Sequence, residues 1–218
     1  KLSEEPVFSP NFKKFTTCDH VISSPPFGML LNETQKWATS KNTIIPKSKK
    51  IGKSDEIDLT EYGNELIHYF ISKLMINCKK GTKIALVVPQ GFLFKSNRHY
   101  EKIRKEIISR CTVQGIIQLP ANYFENAAIA TALLILEIGE SKQDTYNIFM
   151  SVFPKPKKLF EQSNVEILKE IIRNFHNVQK GISINGAELH GFAIPVQEII
   201  HNNWTVTNKT PEFESDRQ

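Results

Sequence analysis

The chain has 218 residues, of which 40% are hydrophobic and 23% charged, and its formal net charge is +5 at pH 7. This length is enough for one sizeable core, and no apolar stretch approaches the roughly 20 residues of a membrane span, so no membrane partner is expected. The three cysteines, Cys18, Cys78 and Cys111, have no Cys-x-x-Cys spacing, so neither a metal site nor a disulfide framework is predicted. We expect a globular cytoplasmic protein with free thiols.

Strands and helices are predicted to alternate along the first half of the chain. His20 to Ser23 predicts a short buried strand. The apolar residues between Leu66 and Met75 recur at helical spacing, and the pair Asp58 and Glu61 is typical of a helix start. The continuous apolar run 84–88 predicts a strand covered on both faces.

The second half continues the alternation. Ser96 or Asn97 can cap a helix whose inward residues include Tyr100 and Ile103. Residues 113–119 and 132–138 predict two strands, 147–153 predicts an extra strand, and the spacing of Val165, Leu168, Ile171, Ile172 and Phe175 indicates another helix. This order predicts an α/β fold with a largely parallel sheet, followed by a flexible polar tail at 208–218.

The tetrapeptide Ser24-Pro25-Pro26-Phe27 directly follows the first predicted strand. Its prolines fix φ near −65° and lack N–H groups, so the turn is stiff and presents carbonyl oxygens as acceptors. Ser24 adds a hydroxyl, and Phe27 offers a ring face for stacking. Acceptors that bind both hydrogens of an exocyclic amine favour the pyramidal form whose lone pair can attack, so these residues fit methyl transfer to an amino nitrogen. The alternative is a rigid loop without chemistry.

Several lysines follow this turn in a stretch that contains no acidic residue. Lys47, Lys49, Lys50 and Lys53 lie among residues typical of a loop, where they could neutralise DNA phosphates beside an extruded base. The alternative is a solvated surface loop.

Several blocks of the chain, in the right order, resemble the N6-adenine DNA methyltransferases of modification subunits from type I-like restriction–modification systems. The similarity spans about residues 15–207. The blocks that carry it are Asp19–Gly28, Gly81–Phe94, Val113–Pro120, Thr131–Glu137 and Gly191–Trp204.

The resemblance implies a Rossmann-like class I methyltransferase sheet with helices on both faces and its last strand inserted antiparallel beside the one before it. It also implies S-adenosylmethionine as cofactor, DNA and a specificity subunit as partners, and methyl transfer to a base amine, adenine N6 above all. Ser24 and the Pro25 carbonyl would hold the amine, Pro26 would fix the turn, and Phe27 would stack on the flipped base. Asp19 would either contact the cofactor or shape the strand entry.

Two features depart from the family pattern. Ser24 stands where the adenine enzymes usually have Asn or Asp, and serine is commoner in the cytosine-N4 relatives. The family's aromatic-x-Gly-x-Gly cofactor loop is absent. The resemblance therefore implies that 1–150 is the C-terminal half of a catalytic domain and 151–207 its extension. The cofactor-binding half would come from another segment or a second chain, and this part alone would be inactive.

Other interpretations stay open at this point. The chain could be a non-catalytic remnant or assembly subunit that keeps the domain's shape for DNA or partner binding. RNA and protein-glutamine methyltransferases also use loops of the Asn-Pro-Pro-aromatic type. Phe124 could border a base pocket, although a core position is the stronger expectation.

Overall fold

A computed structural model describes residues 17–30, 45–46, 56–57, 63, 65–121, 123–124, 128–139, 145–154, 162–184, 190–202 and 205. These residues form one six-stranded sheet with helices on both faces and a separate two-stranded sheet. The predicted α/β fold is confirmed.

The strands in chain order are β1 His20–Ser23, β2 Ile45–Pro46, β3 Glu56–Ile57, β4 Lys83–Pro89, β5 Cys111–Leu119, β6 Thr131–Ile138, β7 Asn147–Val152 and β8 Phe192–Pro195. The α-helices are α1 Leu66–Asn77, α2 Arg98–Arg110, α3 Gln162–Gln179 and α4 Val196–His201, and a 3-10 turn, Gln90–Leu93, follows β4.

The six-stranded sheet has the order β1-β4-β6-β5-β7-β8. β1 pairs with β4 and β5 with β7 in parallel, whereas β6 runs antiparallel between β4 and β5, and β8 runs antiparallel to β7. β6 can take this place because residues 120–130, which join it to β5, are too few for a parallel crossover. The expected antiparallel insertion beside β5 is confirmed.

One face of the sheet is closed by α1, α2 and α4. Ile84, Leu86 and Val88 of β4 point to this face and are at most 1% exposed. They share a single core with apolar residues of the three helices, such as Leu74 and Ile103. α2 begins where Asn97 caps it, because the Asn97 Oδ1 accepts the His99 N–H at 2.7 Å, as the sequence predicted.

The opposite face is closed only over β5 and β7. There α3 packs a second apolar cluster that includes Phe149, Phe153 and Ile171. Over β1 and β4 this face is open among the described residues, and Ile22 is 85% exposed. The prediction of a strand covered on both faces is therefore wrong for 84–88, and only Val21 of the predicted buried strand β1 is fully buried.

Most predicted elements are present, with differences at their ends and faces. α1 has Glu65 as its N-cap, and Asp58 and Glu61 lie outside the described residues. Three apolar residues of α3 are exposed, namely Val165, Leu168 and Ile172. The short elements β8 and α4 have no counterpart in the sequence prediction. The predicted division between 150 and 151 falls inside β7, and the predicted tail at 208–218 lies outside the described residues.

Candidate active site

The tetrapeptide Ser24–Phe27 lies at the carboxyl end of β1, the position that ligand sites favour in open α/β sheets. Pro25 is buried, which anchors the turn, while Ser24 and Pro26 are exposed and Phe27 is half-buried. The turn ends at Gly28, whose φ of +66° is a conformation that residues with a Cβ rarely adopt. The loop thus exposes Ser24 and leaves the Phe27 ring partly accessible, while the buried Pro25 holds the turn in place.

The exit of the loop is tied to the start of α1. The Leu66 N–H donates to the Met29 carbonyl at 2.9 Å, and Leu30 forms an antiparallel bridge with Glu65. Because β1 holds the entry and α1 holds the exit, the loop is restrained at both ends.

Several large apolar side chains are exposed along the same edge of the sheet, where β1, β4 and β5 end and β6 begins. Such side chains suit contact with a flat apolar ring system. They are Met29, Leu30, Phe94, Phe124 and Ile129. Phe124 is 41% exposed, so the expectation of a core position is wrong, whereas Tyr123 packs edge-on against Phe153 in the second cluster.

A glutamine pair joins the ends of β4 and β5 at this edge. The Gln90 Nε2 donates to the Gln118 Oε1 at 2.7 Å, and the Gln90 N–H donates to the Ala130 carbonyl at 2.9 Å. Sequence reasoning missed this pair, since its members are 28 residues apart and no local spacing links them.

Asp19 lies at the other end of β1. Its carboxylate pairs with the Lys79 Nζ at 2.6 Å, and this partner lowers the pKa of Asp19 below its usual value. Asp19 and Ser24 are five positions apart along the extended chain, which corresponds to roughly 16 Å. The structure therefore brings Asp19 to α1's C-terminal side and not to the Ser24–Phe27 turn.

The predicted DNA-contacting lysines Lys47, Lys49, Lys50 and Lys53 lie outside the described residues. The two short strands that flank them along the chain, β2 and β3, pair antiparallel with each other. The DNA-contacting role of the four lysines stays a prediction.

A groove of about 500 Å³ runs along the open part of the sheet. Ile22, Ala85 and Ile135 contribute to its floor, and Phe175 and Gln179 of α3 contribute to its wall. β1 lies at the edge of the described sheet and pairs there only with β4. This apolar floor and the free strand edge together form a surface that a further strand and helix could cover.

No group of three or more His, Cys, Asp or Glu side chains suited to a metal ion occurs in the described part of the chain. The three cysteines are free thiols, with Cys78 and Cys111 buried. Burial raises the pKa of Cys78 to about 11 and that of Cys111 to about 12. Among the described helices, none combines the length and the hydrophobicity that crossing a membrane requires.

The sequence model of the N-6 DNA methylase family matches residues 3–217. A type I restriction enzyme methylase subunit from Mycoplasma pneumoniae is 26% identical over 124 residues, which are 57% of this chain and 21% of that protein. A putative type II restriction enzyme and methyltransferase from Methanocaldococcus jannaschii is 24% identical over 140 residues, which are 64% of this chain and 10% of that protein.

Solved structures share the fold. A chain of a type I restriction–modification system has a TM-score of 0.67 at 18% identity, and the match covers 94% of this chain and 40% of that one. The type I methyltransferase subunit from Streptococcus thermophilus has a TM-score of 0.57 at 20% identity, covering 88% of this chain and 37% of that one. The chain thus spans well under half the length of these relatives.

Proposed function

Since the chain belongs to the N-6 DNA methylase family, we propose that it supplies the catalytic strand and loop of an S-adenosylmethionine-dependent DNA methyltransferase. The substrate is the exocyclic amine of a DNA base, adenine N6, within a restriction–modification system. The observation that carries this proposal is the Ser24–Phe27 turn at the carboxyl end of β1, with Pro25 buried and Ser24 exposed.

Each residue of the turn has a distinct task in this proposal. The Ser24 hydroxyl and the Pro25 carbonyl accept the two amine hydrogens, which favours the pyramidal nitrogen whose lone pair can attack. Pro26 keeps the backbone in the conformation that presents these acceptors. Phe27 is half-buried, so its ring is held while one part remains accessible for stacking on an extruded base.

The residues of this chain fit only one side of a site for S-adenosylmethionine. The whole sequence contains no aromatic-x-Gly-x-Gly turn, and the described residues that line the groove beside β1 include Lys83 but no acidic side chain to face a positively charged sulfonium. When bound, the cofactor supplies the methyl group from its sulfonium. The part that holds it is assigned to another polypeptide segment or a second chain, which would pair with the free edge of β1 and cover Ile22.

DNA contacts beyond the base are assigned to Lys47, Lys49, Lys50 and Lys53. Their support is the excess of positive charge in a stretch that follows the loop along the chain. Recognition of a particular DNA sequence is assigned to a separate specificity subunit, since a solved relative belongs to a type I restriction–modification complex. Such an enzyme acts in the cytoplasm.

The loop assignment is tested with Phe27→Ala in the assembled methyltransferase. Base–aromatic stacking is worth about 1–3 kcal/mol, so methylation of an adenine-containing DNA duplex should fall up to about a hundredfold. Phe192→Ala is the matched control because Phe192 is also half-buried but lies in β8, at the far end of the sheet. A Phe27→Ala assembly with the control's activity would contradict the stacking role.

A second candidate function is supported by the free edge of β1 and the exposed Ile22, which form a surface suited to a partner. The chain would then be a subunit that keeps the domain's shape for assembly or DNA binding without chemistry. An assembly that binds DNA but transfers no methyl group to adenine or cytosine favours this function. Calorimetric titration of S-adenosylmethionine into the chain alone completes the test, since micromolar binding would show a self-sufficient cofactor site.

A further inference from the structure

Three side chains connect the exit of the Ser24–Phe27 loop to the turn after β4. The Tyr100 hydroxyl of α2 donates to the Glu65 Oε2 at 2.5 Å. The Lys95 Nζ donates to the Tyr100 Oη at 3.3 Å and lies 4.8 Å from the centre of the Tyr100 ring. We refer to Glu65, Tyr100 and Lys95 as the loop anchor.

Glu65 is the member that touches the loop exit. It is the N-cap of α1, yet its side chain makes no capping hydrogen bond to that helix. Its backbone bridges Leu30, and its neighbour Leu66 binds the Met29 carbonyl. The Glu65 carboxylate instead accepts the Tyr100 hydroxyl, while the backbone of the same residue and its neighbour contacts residues 29 and 30.

Tyr100 is held rigidly enough to direct that carboxylate. Its side chain is 5% exposed, and its ring lies edge-on to His68 at 4.5 Å and to Phe92 at 5.9 Å between ring centres. Burial and the adjacent Glu65 raise the pKa of Tyr100, so its hydroxyl stays protonated and remains a donor throughout the physiological pH range.

The anchor's other end is also fixed. The buried Arg104 of α2 donates to the Phe92 and Lys95 carbonyls, each at 2.9 Å, which ties the turn after β4 to the same helix that carries Tyr100. The loop exit, α1, α2 and the turn after β4 are thus joined through one connected set of polar contacts.

We propose that Tyr100 and Glu65 are positioning residues, which hold the exit of the Ser24–Phe27 loop in the geometry that receives the target amine. This inference rests on the proposed methyltransferase function for its effect on activity. Small displacements of groups that orient a substrate cost large factors in rate, and a loop is kept in place by the side chains that support it.

The test compares two tyrosine-to-phenylalanine variants in the assembled methyltransferase. Tyr100→Phe removes only the hydroxyl of the anchor. Tyr146→Phe is the matched control, since the hydroxyl of the half-buried Tyr146 accepts the Val113 N–H at 3.2 Å near the start of β5. We expect Tyr100→Phe to lower the single-turnover methylation rate by about tenfold or more with little change in KM for DNA, and Tyr146→Phe to change the rate less than twofold.

A second readout does not depend on methylation. Amide hydrogen exchange at Leu66, whose N–H donates to the Met29 carbonyl at the loop exit, should be about tenfold faster in Tyr100→Phe than in wild type and unchanged in Tyr146→Phe. Glu65→Gln keeps an acceptor for the Tyr100 hydroxyl and should restrain the loop, whereas Glu65→Ala should match Tyr100→Phe.

Equal exchange rates of the Leu66 amide in the two tyrosine variants would overturn the anchor. So would Glu65→Ala and Glu65→Gln variants that behave alike. An inactive wild-type assembly contradicts the proposed function but not the anchor, because the exchange rates decide that point by themselves.

Discussion

The two faces of the six-stranded sheet differ in what covers them, although the same strands supply both. On one face, Leu86 and Leu134 are buried beneath α1 and α2. On the other face, α3 covers β5 and β7, while Ile22 at the edge is 85% exposed. Neighbouring residues of one strand therefore lie in very different surroundings.

The two faces therefore have separate tasks, since one stabilises the fold and the other is available for assembly. The closed face has the continuous core that a folded unit needs, whereas the open face has an apolar floor beside a free strand edge, which is the arrangement of a surface made to be covered. The Ser24–Phe27 loop follows β1, whose Val21 packs on the closed face and whose Ile22 is exposed on the open face. The candidate site thus lies next to the packed core of the closed face and borders the region assigned to the cofactor-binding part.

The largest expected effect is a stability difference between adjacent leucines of β6. Leu134 is 3% exposed on the closed face, whereas Leu133 is half-buried on the other. Leu134→Ala should lower the free energy of unfolding by about 3 kcal/mol, since it leaves a cavity in a packed core, and Leu133→Ala by only about 1 kcal/mol. Denaturant unfolding of the two variants measures both, and equal losses would contradict the difference between the faces.

A smaller effect is expected when a charge is placed on the open face. Ile22→Glu should change the stability of the chain alone by less than about 0.5 kcal/mol, because the side chain is already in water. In the assembly with the polypeptide that carries the glycine-rich loop, the same substitution should lower the free energy of unfolding by about 2 kcal/mol, because the carboxylate would be buried.

Val152→Glu is the control for this experiment. Val152 is also an exposed β-branched strand residue, but it lies in β7, on the far side of the sheet from β1. It should be neutral in both the chain and the assembly. If the Ile22→Glu substitution is equally neutral in the assembly, the covering segment binds elsewhere.

The smallest effect is a pH dependence that belongs to the closed face. Cys78 packs in that core, and burial raises its pKa from 9.0 to about 11. A raised thiol pKa means that the folded state keeps its proton longer, so this stability is present below pH 9 and is lost as the pH rises towards 11. The loss at pH 10 is about 1 kcal/mol.

Cys78→Ala isolates this contribution. The variant loses core packing equally at every pH, so only the slope of unfolding free energy between pH 8 and 10 reports the thiol. A slope identical to that of wild type would contradict the raised pKa of Cys78. Unfolding in urea at several pH values is sufficient for the comparison.

Local patterns were enough to predict most helices and strands of the sheet. The apolar run 84–88 predicted β4, the spacing from Leu66 to Met75 predicted α1, and Asn97 was one of the two predicted caps of α2. These signals are local because backbone periodicity and capping involve residues a few positions apart. The short elements β8 and α4 were missed, since four and six residues leave too little periodicity to detect.

Burial was harder to predict than the elements themselves. Phe124 was expected in the core and is exposed, and Val165, Leu168 and Ile172 form part of the apolar pattern of α3 yet also face solvent. A hydrophobic pattern states which side of an element is apolar, but it does not identify the surface that will cover it.

The residue types of the loop are a local property of the chain, because two adjacent prolines, a serine and a phenylalanine after an apolar run predict a stiff turn with acceptors and a ring. That β6 separates β4 from β5, and that Tyr100 meets Glu65 from 35 residues away, became visible only in the folded structure. The physical reason is that strand order and such contacts depend on which distant segments pack together, and no local spacing encodes that choice.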